Sequence, residues 1–146
     1  MKSSFLFLVA VSLCAFSVQP LRSAEGAAAP GIEGIEWSLQ EIHGQPAHAG
    51  ERGRQTLKLE AAKKQALGYA GVNRFFGGYQ LNGDKLKLGP LAGTMMAGPE
   101  KDMNAETAYH AALADVTNWR VTEGALELLK DKTVVLRFTA AKAENK

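Results

Sequence analysis

Asn82 and Gly83 stand between two short patterned segments, residues 77–81 and residues 85–88, the second reading Lys-Leu-Lys-Leu. An Asn-Gly pair tolerates the positive φ angles of a type I′ turn, whose twist matches that of two antiparallel strands. The spacing therefore predicts a β-hairpin. Similar punctuation recurs along the chain. Residues 36–42 (EWSLQEI) alternate around Trp37, Leu39 and Ile42, and residues 56–60 (TLKLE) around Leu57 and Leu59. After a turn at 61–65 the alternation restarts with Leu67 and Tyr69. Three segments close the pattern, 118–122, 125–129 and 133–139, with turns at Glu123-Gly124 and 130–132. A period of two is the mark of strands with one buried face.

One segment has a different period. Behind Pro99, apolar or small residues fall at Ala105, Ala108, Tyr109, Ala112, Leu113 and Val116, the steps of an amphipathic helix. Residues 44–53, with Pro46, and residues 89–98, with Pro90, read as loops. The expectation is an α+β fold: a curved, mostly antiparallel sheet or partial β-barrel of about seven to eight strands with one main helix.

Residues 1–24 have the layout of a secretory signal peptide: Lys2, an apolar run at 5–18, then Pro20 and small residues. The run is shorter than the roughly 20 residues that span a bilayer as a helix. Cutting after Ala24 places Arg22 where a small residue is preferred, so the cut falls somewhere in 23–29. Residues 25–34 read as a flexible lead-in, 35–140 as one domain and 141–146 as a frayed tail. Removing Lys2 and Arg22 from 17 basic residues leaves 15, against 15 acidic residues. A neutral mature chain gives no support for nucleic-acid binding, which needs a surplus of cations on one face. The only cysteine is Cys14, inside the leader. Acylation there is disfavoured by the bulky Leu13 before it. The location expected is therefore periplasmic or secreted, without a transmembrane helix in the mature chain, and the mature protein is expected to be a monomer.

Trp37-Ser38-Leu39, residues 71–79 (GVNRFFGGY), Leu88-Gly89-Pro90-Leu91, Thr94-Met95-Met96-Ala97, and Met103 with Glu106 occur in one order. This set resembles the META domain (HslJ-like) family over residues 35–140. The resemblance implies a curved antiparallel sheet or partial barrel closed by helix, a secreted or envelope location, and a link to stress or drug tolerance. It implies no shared enzymatic activity. Where the family pattern carries two cysteines this chain has Val72 and Gly98, so thiol chemistry at that pair is excluded. Their joint absence is expected if the two positions are neighbours.

The motif residues carried by the resemblance are Trp37, Gly71, Asn73, Arg74, Phe75, Gly78, Tyr79, Thr94, Met95, Met96 and Glu106. Gly71, Gly77 and Gly78 could admit a ligand to the backbone beside Asn73 and Arg74. The reading preferred is structural: the glycines form a bulge or bend, Asn73 bonds to backbone, and Phe75, Phe76 and Tyr79 fill the core. Met95, Met96 and Met103 are read as adaptable core filler rather than copper ligands. His43, His48 and His110 form no short ligand motif. No metal and no cofactor are therefore assigned. Ser38 is the only serine of the mature chain and lacks a nucleophile-elbow sequence. Asp102 and Glu106, at i and i+4, could form an acid/base pair. The preferred roles are stabilisation of the helix N-terminus by Asp102, and anchoring of the helix to the preceding turn, or pairing with Arg74, by Glu106.

Three functions remain: a non-enzymatic envelope module for binding or scaffolding, with an envelope protein as partner; a carrier of a lipid or small hydrophobic ligand; and an acid/base enzyme using Asp102 and Glu106.

Overall fold

Turn geometry determines how the strands follow one another. The computed structural model describes residues 31–141; the leader, its cleavage site, Cys14 and residues 142–146 lie outside that range. The elements are β1 (Glu36–Ile42), β2 (Gln45–Pro46), β3 (Thr56–Glu60), β4 (Gln65–Tyr69), β5 (Arg74–Asn82), β6 (Lys85–Gly93), α1 (Glu100–Ala114), β7 (Asn118–Thr122), β8 (Ala125–Lys130) and β9 (Thr133–Ala140). Two-residue turns join β1 to β2 through His43-Gly44 and β7 to β8 through Glu123-Gly124, with positive φ at both positions of each. That is the type I′ requirement. The β5–β6 hairpin is shifted by one residue from the expectation. Asn82 pairs with Lys85, so the turn is Gly83-Asp84 and only Gly83 has positive φ. A glycine at the first central position meets the demand of a type II′ turn instead.

All strand pairings between the named elements are antiparallel. The nine strands run in the order β2-β1-β3-β4-β5-β6-β7-β8-β9, and β1 also pairs with β9, so the sheet closes into a ring. The ring has one weak seam. β6 meets β7 only through the register pair Lys85–Asn118. Beyond it β6 is a bare edge, and α1 packs there as well as against β1 and β9.

Alternation builds the core. Leu57, Leu59, Ala66, Phe75, Tyr79, Leu86 and Leu88 point inward from β3 to β6, and Leu126, Leu128, Leu136 and Phe138 from β8 and β9. α1 contributes Tyr109, Ala112 and Leu113. Tyr109 is wholly buried, and its hydroxyl donates to the Thr56 carbonyl at 3.1 Å. The Tyr109 ring meets Phe75 edge-on at 5.9 Å. Ala108, expected on the buried stripe, is exposed.

On the outer face of the other half, Arg120, Glu127, Arg137 and Glu41 lie opposite one another in one cross-strand row. The buried Glu127 carboxylate accepts from Arg120 at 2.5 Å and from Arg137 at 2.8 Å. Burial opposes its charge, but the two guanidiniums outweigh that and hold its pKa below the usual carboxylate value.

Three segments differ from the sequence reading, the first being Gln45–Pro46, which forms β2 inside the expected 44–53 loop. Residues 89–93 are strand, not loop. Pro90 has no N–H to give, and it is tolerated because Gly89 and Pro90 form a bulge opposite Gly78 on a stretch of β6 that has no second neighbour. Part of the lead-in is also ordered. Ile32 is fully buried, its carbonyl accepts from the Trp37 indole at 3.0 Å, and Glu33 bridges to Leu59.

Candidate functional site

The turn between β4 and β5 is where glycine and asparagine chemistry concentrates. Gly71 has φ +132°, and a Cβ there would sit 3.3 Å from the Asp102 carbonyl. Glycine both permits that backbone angle and lets α1 approach. The N–H groups of Val72 and Asn73 then point at the helix, where the Glu106 carboxylate accepts them at 3.0 and 2.7 Å. The Asn73 amide N–H donates to the same carboxylate at 2.9 Å and to the Met96 carbonyl at 3.1 Å. Its amide oxygen accepts from the Thr94 hydroxyl at 2.9 Å and the Met96 N–H at 2.7 Å. Asn73 thus ties the turn, the segment after β6 and the helix together, with its whole hydrogen-bonding capacity used. Burial opposes the charge on Glu106. The donors from Asn73 and Val72, with His110 nearby, more than offset that and place its pKa below the ordinary carboxylate value.

Most motif residues are brought together here. Trp37 is a core residue away from the turn. Phe75 and Tyr79 are buried, as expected, and the Tyr79 hydroxyl donates to Glu33. Phe76 is not in the core. It is 53% exposed, because consecutive strand residues face opposite sides of the sheet. Two of the three methionines also depart from the core-filler reading: Met95 is 99% exposed and Met96 46%, whereas Met103 is half-buried. The backbone of Met96, not its side chain, is what Asn73 holds. Gly77 supplies the close approach at the bulge, where a Cβ would lie 2.5 Å from the Pro90 carbonyl oxygen. Gly78 has open space around its Cβ position.

Val72 and Gly98 are neighbours. A Cβ on Gly98 would fall 2.6 and 2.9 Å from the two Val72 methyl carbons. The glycine leaves room for the branched side chain.

Asp102 stands in the first turn of α1, where a negative charge favours the helix N-terminus, as expected. Pro99 occupies the N-cap position, with no side-chain cap bond, and the Asp102 carboxylate meets the 48–51 segment. His48 Nε2 lies 2.7 Å from Asp102 Oδ1, and the Glu51 N–H donates to Oδ2 at 3.4 Å. Glu106 takes the anchoring role and makes no ion pair with Arg74 among the described residues. The two carboxylates are thus engaged by separate partners. Among the described residues no group of three His, Asp or Glu side chains is placed to hold a metal ion. Sequence reasoning missed Gln55, a fully buried side chain with no hydrogen-bond partner among the described residues. It lies under Gly71, and nothing in its neighbourhood in the chain marks it as buried.

Two concave surfaces flank the network. One, of about 480 Å³, runs along the bare edge of β6 beside His110 and Ala114 of α1. The other, of about 970 Å³, lies on the outer face of β3, β4 and β5. Its floor includes Lys58, Leu67, Tyr69, Arg74 and Phe76. Arg52 and Arg54 of the 50–55 segment line it, as do Thr94 and Met96. Among the described residues no helix is long and apolar enough to cross a membrane.

Comparison with known proteins agrees with this architecture. The NMR structure of a protein from Burkholderia xenovorans is similar at 26% identity and a TM-score of 0.62, over 85% of this chain and 99% of that one. A second NMR structure, at 21% identity and a TM-score of 0.59, covers 78% of this chain and 95% of its own, and shares the fold. No curated protein matches. The profile of the META domain matches residues 30–143, which takes in every strand, the helix and the Asn73–Glu106 network, so the chain belongs to the META domain (HslJ-like) family.

Proposed function

We propose that the protein is a non-enzymatic binding or scaffolding module of the bacterial cell envelope that contributes to stress or drug tolerance. One observation carries this reading. The polar groups of the motif are spent on holding turn to helix, while the surface beside them presents exposed Phe76 on the sheet and Met96 on the segment after β6, next to guanidinium groups. Such a surface suits contact rather than turnover. Asp102 and Glu106 are held by His48 and by the β4–β5 turn, which favours structural over acid/base roles. A lipid carrier is less favoured, because the ring's interior is filled by its own side chains. Export under the leader at residues 1–24 belongs to the same reading.

The test is genetic. Deletion should lower survival under envelope stress or drug challenge, and the wild-type gene should restore it. Intact mass of the protein from soluble and membrane fractions should show a chain cut within 23–29. A deletion strain with undiminished tolerance would sink the physiological role.

A further inference from the structure

The outer face of the ring is electrostatically divided. On β7, β8, β9 and β1, opposite charges alternate in the row Arg120, Glu127, Arg137 and Glu41, and the described bonds pair both arginines with Glu127. On β3, β4 and β5 cations predominate around the groove, while Glu60, two residues from Lys58 on the same face of β3, is paired with Lys63 at 3.9 Å. Lys58 and Arg74 stand on the floor of the 970 Å³ groove, with Arg52 and Arg54 beside them. Among the described residues none of these four cations is ion-paired. Arg54 makes one long bond, 3.5 Å, to the Leu39 carbonyl. Glu36, opposite Lys58 in the register, is the only carboxylate among the described residues that line the groove.

Apolar side chains lie between these cations. In the cross-strand register Lys58 is opposite Leu67 and Leu67 opposite Phe76, while Tyr69 is opposite Arg74. Adjacent strands are about 4.8 Å apart, so Lys58 and Phe76 are separated by roughly 10 Å, or about three extended residues. Fork-shaped guanidiniums match carboxylates bidentately, and an exposed aromatic between them matches an apolar side chain. The floor is a shallow sheet face, open above. It suits an extended chain laid across it more than a hydrocarbon tail, which needs enclosure.

We infer that the groove binds an acidic segment of a partner protein, in which carboxylates flank aliphatic or aromatic side chains. The carboxylates lie against Arg52, Arg54, Arg74 and Lys58, and the apolar side chains lie over Leu67 and Phe76. This deepens the binding-module reading and rests on it only for the claim that the surface is used for contact. A groove that binds in vitro while deletion leaves tolerance intact would separate the two.

The experiment uses the mature chain, labelled with ¹⁵N, and a fluorescein-labelled heptapeptide alternating glutamate with leucine or phenylalanine. Fluorescence anisotropy at low salt should show saturable binding that weakens as salt rises. Amide shift changes should cluster at Lys58, Leu67, Tyr69, Arg74 and Phe76. The doubly substituted variant Arg52→Gln/Arg74→Gln should bind about tenfold more weakly. Phe76→Ser, at a half-exposed position, gives an independent loss with the amide spectrum otherwise intact. A peptide with glutamine for glutamate should not saturate. The inference is overturned by absence of saturable binding. It is equally overturned if both variants bind like the parent. Tighter, groove-dependent binding of a thymidine oligonucleotide or of phosphatidylglycerol vesicles would also overturn it.

Discussion

Glu106 is a partly buried carboxylate held by three N–H donors from Val72 and Asn73. Its pKa is depressed on folding, so the stability it contributes is present above the ordinary carboxylate value of 4.5 and is lost as pH falls through the lower folded value. Glu127 acts in the same direction. Glu106→Gln should destabilise the protein by about 2 kcal/mol near neutral pH, since hydrogen bonds to a charged group are the strong ones. In urea denaturation, the gap between variant and parent should narrow below about pH 4, as the parent's carboxyl protonates. Gly98 is the second position where one residue decides. Gly98→Ala forces a carbon against the Val72 methyls and should cost about 1–3 kcal/mol. Val72→Ala in the same chain should recover about 1 kcal/mol of that, and a double-mutant cycle on thermal stability measures the coupling. The adjacency of these two positions was legible in their paired departure from the family pattern. The partners of Asp102 were not. A carboxylate in the first helical turn is read for its charge against the helix N-terminus, and only the folded 48–51 segment brings His48 to it.

At the scale of the element, β6 shows how local rules are overridden. Pro90 argues against a strand, yet β6 continues to Gly93 because the bulge opposite Gly78 and a missing neighbour remove the need for its N–H. The bulge depends on Gly77. Gly77→Ala would place a methyl 2.5 Å from the Pro90 carbonyl oxygen. It should lower stability by about 2 kcal/mol and alter amide shifts along residues 88–93, whereas Gly78→Ala, with open space around it, should leave those shifts unchanged. The hairpins themselves were legible from turn chemistry, which depends on φ at one or two residues. Their register was not legible to a single residue, because Gly83 can serve as the second position of one turn type or the first of another.

For the whole molecule, closure of the ring is uneven. β1 and β9 pair from Trp37–Ala140 to Ile42–Leu136, while β6 and β7 share one register pair. Amide exchange should therefore be slowest in β1, β8 and β9. It should be faster at the seam, in the amides of β7 and of the 115–117 connection, with α1 intermediate. Exchange that is slowest at the β6–β7 seam would contradict this account of the closure.

Alternation at Leu57 and Leu59, the turn pairs and the period of α1 determined on their own that the chain would be an antiparallel sheet with one helix. These signals are local: each depends on backbone angles and on side chains two to four residues apart. Tertiary structure alone decided three things. It closed β1 onto β9, it set Asn73 between Glu106 and Met96, and it left Phe76 outside among the cations of the groove. Each depends on residues far apart in the chain, and two aromatics as similar as Phe75 and Phe76 differ only in which side of the sheet faces the core.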